Sequence, residues 1–140
     1  MAVTVVIEEA SFVSGAKLAG CLISDGCVIE SGARLERCLI GLRSLIGRDV
    51  TIRDSVIIGA DRYETEAERA ANRGKGVPDM AIGEQTVIEN AIIDKDCRIG
   101  HNVRISNQRG AGEEEGPNYV IRDGIVVIPR GSTIPDGTVI

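Results

Sequence analysis

Four cysteines are the side chains of this sequence best suited to bind a metal or to form disulfides, namely Cys21, Cys27, Cys38 and Cys97. Each stands two residues before a large aliphatic residue, at a position that Ala, Ser, Thr or Val fills elsewhere in the chain. Residues two apart in a strand face the same side, so these thiols should point inward beside the aliphatic side chains. Small buried thiols of this kind act as packing residues. We therefore predict reduced cysteines and no metal site.

The 17 glycines could bind a nucleotide phosphate only if several of them formed one loop between a strand and a helix. They are instead dispersed along the chain, and no Gly-rich stretch separates a strand pattern from a helix pattern. We therefore predict that this chain contains no catalytic residue for nucleotide chemistry.

The spacing of the large aliphatic residues indicates which element positions these side chains. Steps of six, six and five residues recur through Val6, Phe12, Leu18, Ile23, Ile29, Leu35, Ile40, Ile46, Ile52 and Ile57. The steps resume through Ile82, Ile88, Ile93, Ile99 and Ile105, and again through Ile128, Ile134 and Ile140. A half-buried strand alternates every two residues and a helix every three or four, so a step of six fits neither. A fixed period of 17 residues is typical of a solenoid with one continuous core.

A third set of positions, three residues before the aliphatic ones, marks the corners of each turn. Its members are residue types that tolerate positive φ: Gly15, Gly20, Gly26, Gly32, Asp49, Asp54, Asn90, Asp96, Asn102, Gly131 and Gly137. Aliphatic, corner and small inward residue together are identified as the hexapeptide repeat of a left-handed parallel β-helix. The predicted fold is all-β, with about six coils; its hand is implied by the family pattern. Cys21 and Cys38 should lie one coil apart, close enough for a bond if oxidised.

The composition agrees with a narrow repetitive core, because the chain has no Trp, one Phe and two Tyr. Rungs stacked every few ångström leave little room for the aromatic side chains that fill ordinary cores. A length of 140 residues predicts a single domain, residues 1–140.

The formal charge of −5 gives no general attraction to nucleic acid or to anionic membranes. No apolar run approaches the roughly 18 residues of a membrane-spanning helix, and the acidic start does not fit a signal peptide. We therefore predict a cytoplasmic protein without nucleic-acid or membrane partners.

Two insertions interrupt the repeat. Residues 59–80 are rich in helix formers, which predicts a loop with a short helical segment. Residues 106–118 contain Gly110-Ala111-Gly112-Glu113-Glu114-Glu115-Gly116-Pro117, which predicts a flexible acidic loop. Residues 119–128 are strongly strand-forming. Because loops escape the packing constraint of the repeat, we expect function near these insertions.

The first rung, residues 3–7, has no obvious cap in the sequence. Uncapped strand edges invite pairing with another chain or domain. We predict that a further part of the protein covers this end.

Two stretches go beyond a generic hexapeptide repeat. The first begins with Ile58-Gly59-Ala60-Asp61-Arg62-Tyr63-Glu64-Thr65 and ends with Ile92-Ile93-Asp94-Lys95-Asp96-Cys97-Arg98-Ile99-Gly100. The second begins with Tyr119-Val120-Ile121-Arg122-Asp123-Gly124-Ile125-Val126-Val127 and ends with Ile134-Pro135-Asp136-Gly137-Thr138-Val139-Ile140. Together they resemble the C-terminal region of glucose-1-phosphate adenylyltransferase, also called ADP-glucose pyrophosphorylase, over essentially the whole chain.

This resemblance implies a parent enzyme that makes ADP-glucose and pyrophosphate from ATP and glucose 1-phosphate for glycogen or starch synthesis. Catalysis would belong to an N-terminal nucleotidyltransferase domain, which is absent here and would use Mg²⁺, so this chain alone is predicted to be non-catalytic and without a cofactor. The β-helix domain would contribute to a homo-oligomer and to a site for phosphorylated metabolite effectors.

The same resemblance implies which residues bind the effector phosphate. Lys95 matches the lysine of the family's Ile-Ile-Asp-Lys motif. Arg130 stands where plant and cyanobacterial members usually have lysine, and an arginine adds a bidentate fork for phosphate. Arg122, in the same closing segment, is the third candidate.

Two other functions fit the repeat. A hexapeptide acyltransferase would use His101, the single histidine, as a general base, because Ile99-Gly100-His101-Asn102-Val103 resembles segments that carry such a histidine. A purely structural module, such as an ice-binding prism, is the other. An ice-binding prism would need a flat array of threonines, but the predicted outer faces of this chain carry Arg, Glu and Asp instead.

Overall fold

The computed structural model describes residues 5–7 and 11–140, which form a three-sided solenoid of short parallel strands. In chain order the first strands are β1 (Val5–Ile7), β2 (Phe12–Val13), β3 (Lys17–Ala19), β4 (Cys21–Ile23), β5 (Val28–Ile29), β6 (Arg34–Glu36), β7 (Leu39–Ile40), β8 (Leu45–Ile46), β9 (Thr51–Arg53) and β10 (Val56–Ile57). One helix, α1 (Glu66–Lys75), follows. The remaining strands are β11 (Val87–Glu89), β12 (Ala91–Ile93), β13 (Arg98–Ile99), β14 (Arg104–Ile105), β15 (Glu113–Glu115), β16 (Val120–Arg122), β17 (Ile125–Ile128) and β18 (Thr133–Ile134).

The three walls of the solenoid are named here faces A, B and C. Face A stacks β1, β4, β7, β10, β12 and β17 in parallel, and β16 and β15 extend it. Face B contains β2, β5 and β8 and then β13 and β18, which the single residue Ile82 joins through bridges to Ile46 and Ile99. Face C stacks β3, β6, β9, β11 and β14. The chain visits A, B and C in turn, so one passage around the three walls is one coil.

From the second coil onward the predicted aliphatic series is buried in one continuous core. Its members in this region are Ile23, Ile29, Leu35, Ile40, Ile46, Ile52, Ile57, Ile82, Ile88, Ile93, Ile99, Ile105, Ile128, Ile134 and Ile140. The predicted small positions between Cys21 and Val103 are buried too, and all four cysteines are among them, as predicted. The predicted inward positions Thr4 and Ala10 lie outside the described residues.

The first two strands, β1 and β2, are shifted by one residue from the predicted spacing, whereas Leu18 of β3 pairs with Leu35 as predicted. Val6 is paired with Leu22, an outward position, and its side chain is 45% exposed. The pairing instead aligns Ile7 with Ile23, and Phe12 is aligned with an outward residue of β5. Two adjacent apolar residues at each place allow two registers, and a slip of one residue exchanges the faces of a strand. The prediction that Val6 opens the inward series is therefore wrong.

The corners adopt the left-handed backbone conformation that the sequence predicts. Every predicted corner residue has positive φ, from 49° at Asp54 to 80° at Gly32. Three other residues stand at corner positions with positive φ, although a Cβ makes this conformation unfavourable. They are Arg37, Arg43 and Gln85, with φ of 48°, 59° and 60°. The two arginines make compensating contacts on the next coil, because Arg37 pairs with Asp54 and Arg43 Nε donates to a backbone carbonyl.

The first insertion, residues 59–80, contains α1, in agreement with the short helical segment predicted there. Thr65 caps its first turn in a reciprocal capping box with Glu68, and Gly76 ends it with φ of 67°. No helix of residues 5–7 and 11–140 is long and apolar enough to cross a lipid bilayer.

The second insertion differs from the predicted flexible acidic loop at residues 106–118. The three glutamates of β15 pair antiparallel with β16, which pairs antiparallel with β17. Asp123 and Gly124 form the two-residue turn between β16 and β17, with φ of 51° and 77°. This Asp-Gly turn matches the twist of the hairpin of β16 and β17. Pairing with β16 then overrides the low strand propensity of the glutamates in β15.

Candidate functional site

Lys95 and Arg130 lie next to each other at the corner between faces A and B. β12 pairs with β17 so that Ile93 is aligned with Ile128, and each basic residue follows two positions later. The N–H of Gly131 donates to the carbonyl of Lys95 at 2.9 Å, which carries the pairing around the corner. The strand register therefore places the two cations on adjacent coils.

The carboxylate of Asp61 bridges these two cations. Lys95 Nζ donates to Asp61 Oδ1 at 2.9 Å, and Arg130 Nη2 donates to Asp61 Oδ2 at 2.6 Å. Asp61 belongs to the first insertion, four residues after β10 ends, and lies beside the corner on the neighbouring coil. Each carboxylate oxygen thus receives one cation, and all three side chains remain open to solvent, with exposures of 43–62%.

Arg43 and Asp96 complete this group, which we call the corner cluster: Arg43, Asp61, Lys95, Asp96 and Arg130. Arg43 Nε donates to the carbonyl of the residue before Asp61 at 2.9 Å. Asp96 Oδ1 accepts the N–H of Asp61 at 2.9 Å, and Asp96 Oδ2 lies 3.6 Å from Arg130 Nη2. The corner cluster therefore combines three cations with two carboxylates.

The electrostatic effect of the cations is seen at Asp61. The hydrogen bond from Lys95, followed by the charges of Lys95, Arg130 and Arg43, lowers the pKa of Asp61 below its ordinary value. Asp61 is therefore ionised at neutral pH, and its charge is held by the same groups that would attract an anionic ligand.

Chemically, the corner cluster suits a phosphate group better than a metal or a reacting carbonyl. Arg130 offers a planar fork of donors, and Lys95 offers a compact charge with three donors. Both lie on rigid coils rather than on a loop. The arrangement can bind an anion, and the corner cluster contains no Ser, Thr, Cys or His side chain.

Arg122 lies away from the corner cluster. On β16 it is aligned with Ile125, at the start of β17, whereas Arg130 follows the end of that strand. Its side chain contacts Glu115 at 2.9 Å and Glu113 at 3.5 Å. The structure therefore brings together two of the three predicted effector residues, and the role of Arg122 stays a prediction.

His101 lies at the edge of a cleft of about 330 Å³ between face B and the segment after α1. The ring Nδ1 of His101 accepts the backbone N–H of Glu84 at 2.8 Å, and the backbone N–H of His101 donates to Asp136 Oδ1 at 2.8 Å. A neutral imidazole whose Nδ1 accepts carries its proton on Nε2. The exposed nitrogen is then a donor, which does not suit the general base that an acyltransferase needs.

The cysteines serve the core. Cys21 Sγ and Cys38 Sγ are 3.4 Å apart on adjacent coils. Burial raises the pKa of Cys27 and raises that of Cys97 to about 11, so both thiols stay protonated at neutral pH. Across the described parts of the chain, no group of three or more His, Cys, Asp and Glu side chains is placed to hold a metal ion.

Sequence reasoning missed Asp61 and Arg43. The 17-residue period would align Arg43 with the residue just before Asp61, so a count along the repeat would have brought Arg43 to this corner. The period does not predict the position of the Asp61 side chain, because this residue lies within the insertion of residues 59–80.

Among the solved structures similar to the chain is a mutant of perosamine N-acetyltransferase from Caulobacter crescentus in complex with CoA and GDP-perosamine, with a TM-score of 0.35 and 14% sequence identity. The match covers 73% of this chain and 45% of that chain, so the chain spans less than half the length of that protein.

A family model described as the GLGC left-handed parallel β-helix domain matches residues 9–139. This match spans nearly all of the six coils and both insertions. The chain therefore belongs to the GLGC family, the left-handed β-helix domain of glucose-1-phosphate adenylyltransferase.

Proposed function

We propose that this domain regulates an ADP-glucose pyrophosphorylase by binding a phosphorylated metabolite at Lys95 and Arg130. The observation that carries the proposal is the convergence of these two side chains on one carboxylate at a solvent-exposed corner. A phosphate offers the same pattern of acceptor oxygens, with more charge and more lone pairs than a carboxylate.

The parent enzyme would use a separate catalytic domain to join ATP and glucose 1-phosphate into ADP-glucose and pyrophosphate. In this proposal the β-helix supplies no catalytic group and no cofactor, and any Mg²⁺ belongs to the catalytic domain. The enzyme would work in the cytoplasm.

The same proposal gives the domain a part in subunit assembly. Face A carries an outward ladder of apolar side chains, one on each coil: Val6, Leu22, Leu39, Val56, Ile92 and Val127. Four of them are 36–45% exposed. A row of exposed apolar residues along a rigid wall is a surface that association with another subunit would bury.

The effector proposal is tested on the full-length enzyme that carries this domain. We expect Lys95→Ala and Arg130→Ala each to raise the concentration of fructose phosphate needed for half-maximal activation by about tenfold, because each removes one charge-assisted contact. Calorimetric titration with the same sugar phosphates checks that binding is lost.

The matched control is Arg34→Ala, which removes an exposed arginine from face C. It should leave activation within about twofold of the wild type. Unchanged affinity in both Lys95→Ala and Arg130→Ala would remove the proposal. Loss of activation in Arg122→Ala would extend the site to the hairpin.

A further inference from the structure

We propose that Asp61 is an internal competitor for the effector site, so that an anionic ligand binds Lys95 and Arg130 only by displacing the Asp61 carboxylate. This inference rests on the proposed function of that pair and concerns how its affinity is set.

The contacts of Asp61 are those that a bound phosphate would make. Its two oxygens receive Lys95 Nζ at 2.9 Å and Arg130 Nη2 at 2.6 Å, so both cations already hold a negative partner. The two partners lie 34 and 69 residues away in sequence, and neither contact is part of the hexapeptide repeat. A ligand that used the same donors would have to take the place of this carboxylate.

The backbone holds Asp61 in position independently of the two cations. Its N–H donates to Asp96 Oδ1 at 2.9 Å, and the N–H of Ala60 donates to the carbonyl of Leu42 at 2.8 Å. Because the main chain is fixed, the carboxylate is present at a high effective concentration beside the pair. In this proposal the ligand displaces only the half-exposed side chain of Asp61, and the backbone contacts of the coils stay as they are.

The corner cluster keeps its attraction for an anion after that rotation. Arg43 lies close enough for its charge to lower the pKa of Asp61, and it is anchored to Ala60 by the 2.9 Å hydrogen bond. Three cations therefore surround the site that the carboxylate leaves. A phosphate dianion gains more from them than the single charge of Asp61 does.

The test is a titration of the chain with inorganic phosphate at constant ionic strength, followed through the amide NMR signals of Lys95 and Gly131. We expect Asp61→Asn and Asp61→Ala to bind phosphate about threefold to tenfold more tightly than the wild type, since two exposed ion pairs no longer compete. Adding Lys95→Ala or Arg130→Ala to Asp61→Asn should remove the gain.

Asp54→Asn is the matched control, because Asp54 is an exposed aspartate paired with an arginine on another corner. It changes the net charge equally and should leave phosphate affinity within about twofold. Thermal unfolding of each variant checks that the fold is intact.

The possible outcomes separate this inference from the effector proposal. If Lys95→Ala and Arg130→Ala lose phosphate binding but Asp61→Asn binds no more tightly than the wild type, the inference is overturned and the effector proposal stands. If the Lys95 and Arg130 variants have no effect in either background, both are overturned. Binding that appears only in Asp61→Asn supports the inference.

Discussion

Glu64 is the residue that fixes the first insertion to the solenoid. Its side chain is 2% exposed and accepts three hydrogen bonds: from the Met80 N–H at 2.6 Å, Asn72 Nδ2 at 2.8 Å and Arg98 Nη1 at 2.9 Å. Met80 ends the insertion and Arg98 belongs to β13, so one carboxylate joins both sides of α1 to the fifth coil. Burial alone would raise the pKa of Glu64, but these three donors hold it below its ordinary value.

At the scale of this residue we predict that Glu64→Gln lowers the free energy of unfolding by about 1–3 kcal/mol at pH 7, because a neutral amide cannot satisfy three donors equally. The folded pKa is lowered, so the contribution is fully present above the unfolded value of about 4.5 and is lost as the pH falls through the folded pKa. Urea unfolding of both proteins between pH 7 and pH 2 measures the difference.

The exposed Glu66 of α1 provides the control, because Glu66→Gln should change the free energy of unfolding by less than about 0.5 kcal/mol across this range. A Glu64→Gln effect that persists unchanged at pH 2 would show that shape, not charge, anchors the insertion.

Among the elements, the hairpin of β15 and β16 determines how the solenoid ends. Ile121 and Val126 face each other on β16 and β17, and both are buried in the core. Asn107 ties the loop to the turn, since its Nδ2 donates to the carbonyls of Ala111 and Gly124 at 2.8 and 3.2 Å. The hairpin therefore continues face A beyond the last coil and covers its edge with charged glutamates, which discourage pairing with other strands.

At the scale of this element we predict that Gly124→Ala lowers the free energy of unfolding by about 1 kcal/mol. A Cβ at Gly124 would meet no atom closer than 4.0 Å, so the cost comes from the left-handed backbone and not from a collision. Chemical denaturation gives the free energy, and hydrogen exchange of the β16 amides shows whether the loss is local.

The comparison variant is Gly112→Ala in the same insertion, where φ lies outside the left-handed region and a Cβ would meet nothing within 4 Å. It should be neutral or slightly stabilising. Equal destabilisation of the two variants would contradict a role for the turn geometry.

At the scale of the whole molecule, the three faces of the solenoid differ in the polarity of their outward side chains. The outward ladder of face A is apolar, whereas face C carries charged pairs such as Arg53 with Glu89 at 3.3 Å. Successive coils stack in the same orientation, so outward residues at equivalent positions form a row along each face. In the proposed function, face A serves assembly and the corner cluster binds the ligand.

At this scale we predict that Leu22→Ser together with Leu39→Ser lowers the oligomeric mass of the full-length enzyme, because the pair removes apolar area from the centre of the ladder. Light scattering coupled to gel filtration measures the mass. Val28→Ser together with Leu45→Ser changes two outward residues on the same coils of face B and should leave the mass unchanged. An unchanged mass in the face A variant would exclude the ladder as a subunit contact.

The sequence by itself determined the repeating part of this protein. Large aliphatic residues, small inward residues and corner residues recur at regular spacing, because each wall of a coil buries one large and one small side chain within five or six residues. Burial of Ile52, of Cys38 and of their equivalents followed from this local pattern, and so did the positive φ of Asp49 and Asn102. The family motifs also pointed to Lys95 and Arg130, whose role in effector binding stays a prediction.

Only the tertiary structure decided what the period does not encode. The register of β1 depended on pairing with the second coil, since Val6 and Ile7 are both apolar. The glutamates of β15 formed a strand because β16, which the Asp-Gly turn positions against β17, was available as a partner. Asp61 met Lys95 and Arg130 through contacts across 34 and 69 residues, and a repeat of 17 residues cannot specify where an insertion returns to the surface. Local packing thus built the scaffold, and long-range contacts built its candidate site.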